Sequence, residues 1–199
     1  IFWLEKAKGV AENKKQADAL ALLIDFYKTG DLKTWDDYNI AWLGATDGNI
    51  DYINGFIEVY NDPLGYRGSY EAVVQIKDFD MSAKMEVVSK NVQWFEDNSP
   101  LKPEHKKKNV VGVSYKTVIV AGESGDSSPS TPIGVNLPNA DWIRAEHGSK
   151  SVSLGNIIDA YANAGGTDRL KEFVNDEEEL ALSEKYGEIA DKLHTSLHE

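Results

Sequence analysis

The sequence predicts an α+β fold on three observations. Runs with helical period lie toward both ends of the chain, and β-branched, partly alternating segments fill the middle. Clusters of Gly, Pro, Ser and Asp separate them. Its length of 199 residues suits one large domain or two small ones.

In chain order, "ENKKQADALALLIDFYKTGD" reads as an amphipathic helix. Leu20, Leu23, Ile24 and Tyr27 recur at helical spacing, and Gly30 stands where a C-terminal cap belongs. Thr34 opens a shorter helix over "WDDYNIAWL", whose positive end suits Asp36 and Asp37. Two strands follow, about 55–60 and 69–77, joined by the turn-rich "NDPLGYRG". "MSAKMEVVSKNVQWFEDN" returns to helical period, with Met85, Val88, Val92 and Phe95 on one face. After the polar loop "SPLKPEHKKKN", "VVGVSYKTVIVAGES" reads as a strand. "GDSSPSTPIG" is too rich in Ser, Pro and Gly for regular structure. "VNLPNADWIRAEHGSKSVSLGN" reads as irregular, with helical turns possible on either side. The last third is helical, broken at Gly165 and Gly166, and "NDEEEL" reads as a solvated helix start.

The net charge of −12 argues against nucleic acid, because phosphate binding needs a basic surface. Without Cys there is no disulfide and no thiolate metal site. No apolar run approaches the roughly 18 residues of a membrane span. The opening "IFWLEKAKGV" has neither Met nor a basic leader, so the chain is expected to start and stop inside a larger protein, with a cytoplasmic location.

The ending "LHTSLHE" draws the chemical question. Leu193 and Leu197 share a face with Ile189 and Tyr186, a stripe that needs a partner. His194 and His198 are four apart, so both imidazoles could address one ion. They also fit plain helix-end histidines beside a negative dipole end.

Three long blocks add to this reading: "GFIEVYNDPLGYRGSYEAVVQIKD" (55–78), "IGVNLPNADWIRAEHGSKSVSLGN" (133–156) and the ending itself. Together they resemble the dipeptidyl peptidase III family, the M49 zinc exopeptidases, in the family's order and at comparable spacing. The match covers most of the chain from Trp42 onward, while the first 40 residues match loosely.

The resemblance implies a His-Glu-x-x-Gly-His zinc motif, with His198 as first ligand and Glu199 as catalytic base, leaving His194 a neighbour. The second histidine, the glutamate ligand and a later catalytic histidine do not occur in this sequence. It also implies substrate contacts from Glu58 and Tyr60, from Asn136 and Asn139 around the peptide's amino end, and from a cleft-lining Trp42. Carboxylate and amide oxygens are the natural receptor for a free α-ammonium group. The stretch before Ile133 would offer a strand edge to an extended peptide. Blander readings stand beside these: Glu58 as a solvent-facing strand residue, both asparagines as turn formers, Trp42 as core. Arg67 and Glu71 also fit family positions, or form a structural pair.

The family's two-lobed build implies a small β-barrel of about five strands from 1–78 and 118–165. Helical pieces of an otherwise missing upper lobe would be 79–117 and 166–199. The stripes Met85–Phe95 and Leu193–Leu197 would then stay exposed, or pair in a homodimer of the fragment. The expected function is a zinc-dependent dipeptidyl peptidase releasing dipeptides from short peptides, the 199-residue piece being inactive by itself. The rival is a non-catalytic peptide-binding or protein-interaction domain.

Overall fold

The computed structural model describes residues 1–59, 64, 68–110, 113–128, 131–165 and 168–198, without the side chains of 113–115, 165, 168–169 and 196–198. Three helices lead. In α1 (Phe2–Gly9) the aromatic Phe2 and Trp3 stay exposed. Helix α2 (Lys14–Thr29) begins where Asn13 accepts a hydrogen bond from the Gln16 amide and ends at Gly30 in the left-handed conformation. Helix α3 (Leu32–Gly44) starts two residues earlier than expected, because Asp31 caps it by accepting from the Thr34 amide.

The described residues form five strands, β1 (Ile50–Glu58), β2 (Ser69–Lys77), β3 (Val113–Gly125), β4 (Gly134–Leu137) and β5 (Ser149–Leu154). They form one sheet in the order β1-β2-β3-β5-β4, antiparallel except for β3 with β5. Between β4 and β5 lies α6 (Asp141–His147). Paired residues share a face, so Asp51, Ile53 and Gly55 stand beside Gln75, Val73 and Glu71. Lys150 and Val152 stand beside Leu137 and Val135. That inner face packs on α2 and α3, with Leu23, Phe26, Trp35, Trp42, Ile53, Val73, Leu137 and Ile143 in one core cluster. Complete burial of such a side chain contributes about 1.5–3 kcal/mol.

The expected β-barrel is not closed. Among the described residues the edges β1 and β4 share no ladder, and closure requires one. β4 has four residues and runs directly into Pro138, which has no N–H to donate. The sheet is nevertheless strongly curled: Lys150 on β5 reaches Asp51 on β1, two intervening strands away, at 2.8 Å. Across the open seam the Asn139 Nδ2 donates to the Ile57 carbonyl at 3.1 Å.

Two helices, α4 (Phe79–Lys90) and α5 (Val92–Asn98), replace the single one expected over this stretch. Asn91 sits between them and donates to the Val87 carbonyl at 2.7 Å. The exposed stripe expected here is exposed only in part. Met85 is 2% exposed, because α4 packs on β3 and Ser82 donates to the Thr117 carbonyl at 3.0 Å. Trp94 and Phe95 remain exposed.

The chain closes with α7 (Gly155–Gly165), α8 (Asp168–Lys171) and α9 (Glu177–His198). Asp176 accepts from the Glu179 amide, and three glutamates occupy the first turn of α9, where the helix dipole favours negative charge. Lys192 ties α9 to Asp159 of α7 at 2.8 Å. Tyr186, Ile189 and Leu193 of the predicted stripe are each about half exposed, as is Leu182, while the side chain of Leu197 lies outside the described residues. No helix among the described residues is long and apolar enough to cross a membrane.

Candidate functional site

The site forms where β1 ends and β4 turns into α6. β1 pairs Phe56 with Tyr70 and then Glu58 with Ser69, so Ile57 and Glu58 together oppose one residue of β2. This β-bulge decides where Glu58 points. Strict alternation would leave it with Phe56 on the outer face, the solvent-facing alternative. The extra residue turns it onto the face of Ser69 and Glu71.

Glu71 is 2% exposed, and its carboxyl lies within hydrogen-bonding reach of Glu58. Burial above all, then the hydrogen bond and charge of Glu58, then Asp126 and Glu123, push its pKa up to about 8. At neutral pH Glu71 therefore holds a proton. Ser69 donates to Asp126, and Thr131 donates to Glu123 Oε1 at 2.5 Å.

Asn139 lies against this bulge through its bond to Ile57, which commits the amide nitrogen and leaves Oδ1 as the acceptor. Asn136, three residues upstream on β4, keeps a buried Oδ1 with no hydrogen-bond partner among the described residues. An orphaned acceptor of this kind costs about 1–3 kcal/mol unless a donor arrives. A pocket at the seam is lined by Trp35, Trp42, Phe56, Ile57, Pro138 and Asn139.

Trp42 is 4% exposed and belongs to the core as well as to the pocket wall. Its Nε1 donates to the Tyr52 carbonyl at 2.8 Å and to Asp51 at 3.2 Å. The Lys150 ammonium sits 4.1 Å from the ring centroid and also donates to the Ala45 carbonyl. Burial pushes the Lys150 pKa down, and the charge and hydrogen bond of Asp51 oppose this.

Glu58, Asn136 and Asn139 thus fall on adjoining strand ends, while Tyr60, Arg67 and Glu199 lie outside the described residues. The side chain of His198 does too, and His194 is exposed on α9. Among the described residues no three of His, Asp or Glu converge as a metal would require. They do not furnish a zinc site. Sequence reasoning missed two features here. The Glu58–Glu71 contact was hidden because a bulge leaves no mark in the alternation. The Asp51–Lys150–Trp42 cluster had one signal: Lys150 shares the inward alternation of Val152 and Leu154.

The comparisons with known proteins agree with one another. A family model described as Peptidase family M49 matches residues 1–199. Dipeptidyl peptidase 3 of Rattus norvegicus is 31% identical over 196 residues, covering 98% of this chain and 26% of that protein. The Homo sapiens protein of that name is 31% identical over 179 residues, covering 90% and 24%. The solved structure of DPP III from Caldithrix abyssi superposes with a TM-score of 0.74 at 29% identity, covering 91% of this chain and 34% of that one. The chain spans about a quarter of the length of the curated relatives it matches. With a family model over every residue and a shared fold beneath it, the chain belongs to the M49 peptidase family.

Proposed function

We propose that this chain is the part of a zinc-dependent dipeptidyl peptidase that receives the amino end of a peptide. The observation that carries the reading is the Asn139–Ile57 bond, which draws the Asn136–Asn139 element onto the strand end bearing Glu58. Glu58 supplies the charge for an α-ammonium group, and Asn139 Oδ1 and the orphaned Asn136 Oδ1 supply neutral acceptors. β4 stands at an edge of the sheet, where an extended peptide could add as a further strand. Trp42 walls the pocket, and Tyr60 belongs to the same proposal by the family's pattern. Holding the amino end fixes which peptide bond lies two residues along, the register a dipeptidyl peptidase needs.

Zinc, with His198 as a ligand and Glu199 as the base, is proposed for the whole protein on family grounds. The described residues do not themselves bring together a group that could hold the metal. The 199-residue chain alone is expected to bind peptides without cleaving them. Calorimetry with an unprotected tetrapeptide and its N-acetylated form tests the reading. The free amine is expected to bind at least tenfold tighter, with the preference lost in Glu58→Gln. Equal affinity for both forms would reject it. Chelator-sensitive cleavage of a dipeptidyl arylamide by the chain would overturn the expected inactivity.

A further inference from the structure

We propose that Glu71 is a positioning residue for Glu58: from its buried place on β2 it shares one proton with the Glu58 carboxyl group and so fixes which oxygens face a peptide ammonium. The inference rests on the reading of Glu58 above. Its geometry comes from three facts. The bulge places two β1 residues against Ser69, which brings Glu58 to the Glu71 face. Glu71 is covered by the sheet and by α3, whose Trp35 lies against Gly55, the register partner of Glu71. Among the described acids around Glu71, Glu58 is the one that reaches it by a hydrogen bond, while Glu123 of β3 and Asp126 in the turn after it act on it through charge. Glu58 is thus the acid against which Glu71 can spend its proton.

Two carboxyl groups in contact cannot both ionise without strong repulsion, so one proton between them is the stable arrangement at neutral pH. The raised pKa of Glu71 agrees with this. The pair then carries one negative charge, matched to one ammonium group. The donated hydrogen bond also occupies one Glu58 oxygen, leaving the other lone pairs directed outward.

Carbon-13 NMR of glutamate carboxyls in the 199-residue chain tests the pairing without any peptide. One carboxyl should titrate near pH 8, vanish in Glu71→Gln, and move toward the ordinary range in Glu58→Gln. A high titration that Glu58→Gln leaves unmoved, or none above pH 6, overturns the proposal. Calorimetry with the unprotected tetrapeptide tests positioning. Glu71→Gln keeps an N–H donor to Glu58 and should bind within about threefold of the parent. Glu71→Ala should bind about tenfold weaker at unchanged circular dichroism. Equal binding by both variants, or equal loss in both, overturns the role. If the parent chain shows no preference for a free amine while the NMR result stands, the peptide reading fails and takes the positioning role with it. If the preference stands and the NMR result fails, only the Glu71 role is lost.

Discussion

The two ends of the curled inner face solve the problem of buried charge in opposite ways. At the Asp51 end, a lysine, a carboxylate, an indole N–H and an aromatic face satisfy one another within 4.1 Å. At the Glu71 end two carboxyl groups meet each other, and across the open seam the Asn136 amide oxygen of β4 has no donor among the described residues. Buried ions need partners. The first end is complete as it stands, whereas at the second no cation pairs with Glu58 or Glu71 among the described residues. On the proposed reading, the difference separates a structural cluster from a peptide-receiving one.

The sharpest way to break the comparison is Lys150→Met. It strands the Asp51 carboxylate and is expected to lower unfolding free energy by about 3–5 kcal/mol, read by urea denaturation. Lys150→Met with Asp51→Leu should recover most of the loss. No recovery would mean that Lys150 acts through packing on Trp42 and not through charge. Next in size is Gly55→Ala, between the two ends. Its backbone lies at φ 151°, and a Cβ would run into the Trp35 ring, so a loss of about 1–3 kcal/mol is expected from thermal or urea melts.

The receptive end should show itself in pH dependence. Glu71 ionises near 4.5 when unfolded and near 8 when folded, so between these values the folded chain holds the extra proton. Stability from this group is therefore full below about pH 4.5, falls as pH rises toward 8, and levels off above it. Glu71→Gln should flatten that slope in urea melts taken from pH 5 to 9, while Lys150→Met should leave it in place. The smallest effect is expected for Asn139→Ala. It removes the link to Ile57 and should cost about 1 kcal/mol of stability. Free-amine peptide affinity should fall about tenfold in the same variant, measured by calorimetry. A stability loss with intact affinity would mark the bond as a seam fastener alone.

How far the sequence could be read varies with how local the determining physics is. Helix α2 was legible because its apolar stripe and Gly30 cap are properties of neighbouring residues. β5 was not. Its "SKSVSL" carries serines and a lysine, yet every residue after Ser149 is buried, since Lys150 answers Asp51 from the far side of the curl. α1 and α6 were missed as well, being seven or eight residues long with weak patterns of their own. For the site, long family-like blocks pointed to Glu58, Asn136 and Asn139, and could not say which way Glu58 turned.

What the sequence by itself determined is the α+β composition, the main amphipathic helices, the exposed stripe on α9 and the family. Each is written in periodicity, caps or contiguous motifs, which act over a few residues. Only the tertiary structure decided that the sheet curls without closing, that Lys150 is buried with Asp51, and that Glu58 turns inward against Glu71. Those outcomes depend on a bulge, a four-residue edge strand and contacts between residues up to 99 positions apart. Such distances are set by packing, which no local pattern encodes.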